Sequence, residues 1–437
     1  MNFRGKPLVR TDDIVQDGHF KEFGKWYLPN NENKSVGGII IYDNGWITLE
    51  TMYSLGDARS KNIVEHIKER TDRLKKYDTI FGVLSTDETI ILKNCVEIER
   101  NNNKFRYNVN LMYVSNSIQG CTTDFDNLMV EYDNLFEWRL PPQIKTDRKE
   151  KGEWVITYKQ AEPINVEINN NNNLSIHQTY SMSHSAVQKN YNIPQGMILS
   201  IKSKSRQKYE DVKKISEVFR RFLMLCIDEI TYPISIHVGI NKNLTNVLES
   251  HTEYENKPYV DILEISPNYL QLESDFENIL KRWYELHNEI EETMSNFFTA
   301  LLFRRNETMG IHFLQIVYAV EALQREKFPQ KIQHIDGESR LKQRLEIVLN
   351  PFKEHFKKID VDKVVNTRDY LSHGFIEGKK GDIIPENLEM LSTTQRLTAL
   401  IQFHFFNSII IDKQFLNEIM MKRLKKIDQI EGLNQKN

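Results

Sequence analysis

Ser274-Asp275-Phe276-Glu277 opens the stretch that decides the fold, because from here the apolar residues change their spacing. Phe276, Ile279, Leu280, Trp283, Leu286, Ile290, Met294, Phe297, Phe298 and Leu301 recur every three or four positions, the period of an amphipathic helix. Ser274 and Glu277 read as a capping box, the hydroxyl satisfying a free backbone N–H while the glutamate reaches back. One long helix is therefore predicted. A second carries Phe313, Ile316, Val317, Val320 and Leu323. A third holds Leu341, Leu345 and Val348 and stops at Pro351. A fourth, shorter one runs from about Val361 to His373, with Gly374 where a closing glycine belongs. A fifth starts at Pro385 and continues through Leu397, Leu400, Ile401, Phe405 and Ile409. Five helices on short links make a bundle.

Upstream the period is two. Gly38-Ile39-Ile40-Ile41-Tyr42 and Trp46-Ile47-Thr48-Leu49 flank Asp43-Asn44-Gly45, a hairpin signal because Asn and Gly tolerate positive φ. Phe105, Tyr107, Val109, Leu111 and Tyr113 alternate with more polar residues, as do the sets Ile164/Val166/Ile168, Met197/Leu199/Ile201 and Ile234/Ile236/Val238. These predict a mainly antiparallel sheet or sandwich. The Asn169–Asn173 run reads as a loop or as a boundary between two β-rich subdomains. After it, Val212, Ile215, Phe219, Phe222 and Cys226 predict one amphipathic helix on the second sheet. The expected class is α+β. The expected domains are a β-rich 1–168, a second β-rich 174–268 with one helix, and a helical 272–437.

The chain has 437 residues, more than one core usually organises. Its 40% apolar and 27% charged content is ordinary for a globular protein and excludes the disordered class. With a net charge of −3, any nucleic-acid contact has to come from a local patch rather than a global field. Cys95, Cys121 and Cys226 are widely spaced and odd in number, against a disulfide framework or a zinc site. The first residues contain no apolar signal region, and no stretch reaches membrane-span length. A cytoplasmic location is expected.

The chemistry centres on Arg368-Asp369-Tyr370-Leu371-Ser372-His373. Arg368 and His373 lie about 140° apart on an ideal helix, whereas Asp369 and His373 share a face at i, i+4. Histidine supplies a proton-transfer group near neutrality, and arginine supplies a fixed bidentate charge for a phosphorane. Asp369 is placed to orient the imidazole. That set suits attack by a ribose 2′-hydroxyl on the adjacent phosphate, with no cofactor or metal required.

The R-[polar]-x-x-x-H pattern near the end of a bundle helix resembles that of HEPN ribonucleases. Asn366-Thr367-Arg368-Asp369-Tyr370-Leu371-Ser372-His373 and Ile316-Val317-Tyr318-Ala319-Val320-Glu321-Ala322-Leu323 are similar to the ApeA-type HEPN branch. Gly24-Lys25-Trp26-Tyr27-Leu28-Pro29 and Gly37-Gly38-Ile39-Ile40-Ile41-Tyr42 resemble the domain that precedes this HEPN in ApeA proteins. The resemblance implies an all-α HEPN bundle behind a β-rich region and a bacterial anti-phage endoribonuclease acting by abortive infection. It also implies an RNA substrate, a phage-derived trigger, and a homodimer or higher homo-oligomer that brings two motifs together.

Spacing alone carries little, since Arg282-Trp283-Tyr284-Glu285-Leu286-His287 repeats it and reads as structural. A basic pair at a helix C-terminus is the plainer use of Arg368 and His373. Glu321 sits on an apolar stripe, as a buried support for Arg368 or as a solvated carboxylate. Lys379 and Lys380, in Gly374-Phe375-Ile376-Glu377-Gly378-Lys379-Lys380, are candidates to touch RNA phosphates, the plainer reading being a solvated loop. His404, among three phenylalanines, reads as a core or interface histidine. Two other functions fit: a non-catalytic HEPN module that binds RNA or a nucleotide and dimerises, and a β-sandwich recognition protein with a helical oligomerisation platform.

Overall fold

In the computed structural model of this chain, Asn44 and Gly45 adopt φ of 46° and 81° and turn β2 (Val36–Asp43) into β3 (Trp46–Thr51). This is the expected hairpin, whose turn needs positive φ at both central residues. The structure describes residues 19–55, 75–101, 104–115, 124–140, 145–148, 154–157, 160–180, 183–185, 190–192, 195–240, 243–250, 260, 265–303, 308–329, 332, 339–373 and 387–434. Two compact units emerge, Met1–Arg220 with Thr231–Asp261, and Arg221–Ile230 with Ile262–Asn437.

The first unit is built on β1 (His19–Tyr27), β2, β3, β4 (Lys76–Leu84), β5 (Thr89–Asn101) and β6 (Lys104–Ser115). They follow the order β6-β3-β2-β1-β4-β5, and β5 pairs back onto β6, closing six antiparallel strands into a barrel. Inside lie Ile40, Ile47, Leu49, Ile80, Leu92 and Tyr107, with Trp26 fully buried among them. Trp26 stands across from Gly82, where a Cβ would come within 2.2 Å of the indole ring. Glycine at 82 is what leaves room for the tryptophan.

Beyond β6 the sheet continues as β16-β15-β7-β14-β11-β10. These are β7 (Asp124–Tyr132), β10 (Ile164–Glu167), β11 (Asn172–Tyr180), β14 (Gln195–Lys208), β15 (Pro233–Ile240) and β16 (Asn243–Glu249). Two small hairpins complete the strands, β8 (Lys145–Arg148) with β9 (Trp154–Thr157) and β12 (Ser183–Ser185) with β13 (Asn190–Asn192). The asparagine run turns β10 into β11, with Asn169 Oδ1 accepting the N–H groups of Asn171 and Asn172 at 2.9 Å each. Strands from both sides of that run thus share one sheet. Helix α1 (Leu135–Arg139) and the first turns of α2 (Tyr209–Ile227) pack on it. Tyr132 donates its hydroxyl to the Ser216 carbonyl at 3.1 Å, and Trp138 meets Phe219 edge-on.

The second unit is helical: α3 (Tyr269–Leu272), α4 (Phe276–Glu289), α5 (Glu291–Phe303), α6 (Met309–Lys327), α7 (Arg340–Leu349), α8 (Val361–His373), α9 (Asn387–Ile409) and α10 (Lys413–Asn434). The α+β class therefore holds. Three details depart from expectation. The capping box belongs to α3, where Asn268 and Gln271 exchange bonds of 3.1 and 3.0 Å. Ser274 and Glu277 form none, because α4 starts after a 3₁₀ turn at Glu273–Asp275, and the Asp275 carboxylate is taken by Asn278 and Arg282. The long helix is two, broken at Ile290 (φ −127°, ψ 53°). Glu326 of α6 accepts the N–H groups of Glu292 and Thr293 at 3.0 and 2.9 Å, capping a new N-terminus that the apolar stripe does not reveal. Finally, α10 adds a helix beyond the predicted five, burying Leu416, Ile419, Met420 and Leu424. The bundle core is aromatic: Phe405 sits 6.0 Å from Trp283 and 5.3 Å from Phe297 between ring centroids.

Candidate functional site

Helix α6 is apolar over most of its circumference, with Phe313, Ile316, Val317, Ala319, Val320, Ala322 and Leu323 buried. Glu321 is buried with them, at 8% exposure. Helix α8 touches both α6 and α7. Its inward face carries Val364 and Val365, and Arg368 follows Val364 one turn later, so the helical period brings the guanidinium to the same side. The last turn of α8 comes close to the first turn of α6: a Cβ on Gly310 would lie 3.2 Å from Leu371 Cδ2. Thr367 spends its hydroxyl on the Lys363 carbonyl at 2.8 Å and is occupied within the helix.

The three helices bring a charge cluster together. Arg368 donates from Nη1 to Asp369 Oδ1 at 3.0 Å, and its Nη2 lies 3.8 Å from Glu321 Oε1. The other oxygen of Glu321 accepts from Arg344 Nη1 at 2.6 Å, and Arg325 Nη1 approaches it at 3.9 Å. Arg325 also pairs with Glu292. The side chains of Arg368 and Arg344 are 24% and 22% exposed, so they are held at the surface of the bundle rather than sealed within it. The Nε atoms of both arginines are buried and have no hydrogen-bond partner among the described residues.

Of the expected site residues, the structure brings Arg368, Asp369 and Glu321 into one cluster. His373 is the last residue of α8, five after Arg368. The carboxylate of Asp369 is engaged with Arg368. Lys379, Lys380 and the expected closing Gly374 lie outside the described residues. Arg344 was missed by the sequence reading. It stands three after Leu341 and four before Val348, so it interrupts the apolar face of α7 just as Glu321 interrupts that of α6.

The repeated Arg-x-x-x-x-His spacing is spent on the scaffold. Arg282 donates to the Ile409 carbonyl at 2.7 Å and to Asp275 at 2.6 Å. His287 lies 2.6 Å from Arg221 Nη1, and burial, then the Arg221 charge, push its pKa down to about 4. His404 is a core residue, bonded from Nε2 to the Val348 carbonyl at 2.8 Å between the rings of Phe328 and Phe352. Among the described residues no group of three His, Cys, Asp or Glu side chains is placed to hold a metal ion.

A family model described as ApeA N-terminal domain 1 matches residues 21–283, and one described as Apea-like HEPN matches residues 303–415. The second span contains Glu321, Arg344, Arg368, Asp369 and His373. No curated protein and no solved structure matches the chain.

Proposed function

The chain belongs to the ApeA N-terminal domain 1 family and carries an Apea-like HEPN domain behind it, and on that premise we propose that it is a metal-independent endoribonuclease of anti-phage defence. The observation that carries this reading is Arg368, hydrogen-bonded to Asp369 of its own helix and 3.8 Å from Glu321 of α6, five residues before a histidine at the end of the same helix.

In the proposed reaction a ribose 2′-oxygen attacks the adjacent phosphorus. The O2′–P bond forms as the P–O5′ bond breaks, leaving a 2′,3′-cyclic phosphate and a 5′-hydroxyl. His373 takes the proton of the 2′-hydroxyl and returns it to the departing oxygen. Arg368 carries the extra negative charge of the phosphorane through its guanidinium fork. Asp369 holds Arg368 and, one turn before His373, is placed to orient the imidazole. Lys379 and Lys380 are proposed phosphate contacts. Because Arg368 and His373 are about 140° apart on an ideal helix, a productive site needs a frayed helix end or a second copy of the chain, and we propose a homodimer or higher homo-oligomer. The β-rich region senses a phage-derived trigger or regulates the nuclease. Among the described residues no helix is long and apolar enough to cross a membrane, and we place the enzyme in the cytoplasm.

The test is expression of the parent beside His373→Ala, with sequencing of cellular RNA ends with and without phage. Cleavage in the parent and none in a folded His373→Ala protein is expected. Equal cleavage by a clean His373→Ala preparation overturns the reading.

A further inference from the structure

Glu321 has two oxygens and three arginines within reach, and it does not share them evenly. Arg344 takes Oε2 in a hydrogen-bonded ion pair of 2.6 Å. Arg368 faces Oε1 at 3.8 Å, about 1 Å longer than a charge-assisted hydrogen bond. Arg325 stands 3.9 Å away and is engaged by Glu292. Arg368 therefore feels the charge of Glu321 without being tied to it. Among the described residues its one hydrogen bond to a carboxylate runs from Nη1 to Asp369.

We propose that Arg344 is a positioning residue: by occupying Glu321 from α7, it keeps the carboxylate from closing on Arg368 and so leaves the Arg368 fork able to take a phosphate diester. Without Arg344, Glu321 is a buried carboxylate that has lost its strongest partner, a costly state unless another donor replaces it. Among the described residues the nearest cation not already held by a carboxylate on another helix is Arg368, with its Nη2 facing Oε1. Closing that gap pairs both acidic neighbours with Arg368 and sequesters the guanidinium. The control runs through three helices, α7 to α6 to α8, and involves no contact between Arg344 and the substrate.

This inference rests on the ribonuclease reading for its consequence in catalysis, but its geometry has a readout of its own. The full-length protein is treated with phenylglyoxal, an arginine-directed reagent, and the labelling rate of Arg368 is followed by mass spectrometry. Arg344→Met is expected to slow labelling of Arg368 by about tenfold, the size of one charge-assisted hydrogen bond gained by that side chain. Glu321→Gln combined with Arg344→Met restores the parent rate, because the competing charge is gone. Arg344→Lys, which keeps a cation on Glu321, stays near the parent and covers the case in which the methionine variant does not fold.

With an RNA substrate the same order is expected in kcat/KM: parent, lysine variant and double variant together, and Arg344→Met about tenfold lower. Unchanged Arg368 labelling in folded Arg344→Met overturns the proposal. So does a double variant as slow on RNA as Arg344→Met, since Arg344 would then touch the substrate itself. If the parent cuts no RNA while the labelling order holds, the ribonuclease reading fails and the competition for Glu321 stands.

Discussion

Lowering the pH from 7 to 5 places a proton on His404 in the unfolded chain but not in the folded one. His404 is 1% exposed, wedged between Phe328 and Phe352, with Nε2 against the Val348 carbonyl at 2.8 Å. Since a carbonyl only accepts, Nε2 carries the proton of the neutral ring. Burial pushes the pKa down from 6.5 to about 4; the Val348 bond opposes the shift and Lys327 adds to it. The folded value lies below the unfolded one, so this contribution is complete above about pH 6.5, falls as the pH drops through that value and levels off near the folded value. From pH 7 to 5 the loss is about 2 kcal/mol, at about 1.4 kcal/mol per pK unit. His404→Gln keeps a donor for Val348 and removes the titration. Urea unfolding of both proteins, followed by helical circular dichroism at pH 7 and pH 5, isolates the term. His287, with a similar shift, is present in both and cancels in the difference. The expected result is a parent that loses about 2 kcal/mol more than the variant over this range. A parent-to-variant gap that is the same at both pH values refutes the reasoning.

Two further perturbations test the packing. Gly82→Ala forces a methyl to within 2.2 Å of the Trp26 ring in a closed barrel and is expected to cost about 1–3 kcal/mol, read as a lower thermal midpoint. Phe405→Ala removes a fully buried ring from the Trp283, Phe297 and Phe298 cluster and is expected to cost about 3–5 kcal/mol in denaturant unfolding of the helical unit.

What the sequence revealed about the fold followed from which interactions are local. The Asn44-Gly45 turn and the alternating strands are encoded within a few residues, and they appear where expected. Closure of the barrel is not, since alternation shows which residues of β5 and β6 face inward but leaves their partners open. The break at Ile290 is illegible for the same reason. Every apolar position from Phe276 to Leu301 fits one helix, and the group that starts a second one, Glu326, comes from α6. Helix α8 starts at Val361 as expected, and the glycine expected to close it lies outside the described residues.

The site obeys the same division, and its charge balance bears on the proposed contact of a chain of net charge −3 with RNA. Among the described residues Arg325, Arg344 and Arg368 stand against Glu292, Glu321 and Asp369, three cations to three carboxylates. Attraction to a phosphate then depends on which donors the carboxylates leave over. Among the described residues Glu321 is drawn to Arg344, Glu292 to Arg325, and Arg368 keeps Asp369 alone at hydrogen-bonding distance. A charged residue on an apolar helix face is legible one helix at a time, which is how Glu321 was found and Arg344 could have been. The ranking among the three arginines is a matter of about 1 Å between helices, and no spacing rule within one segment carries it. Among the described residues Arg344 and Arg368 each have one hydrogen bond to a carboxylate and a buried Nε without a partner. They differ in that Arg344 is held by a carboxylate of another helix and Arg368 by one of its own.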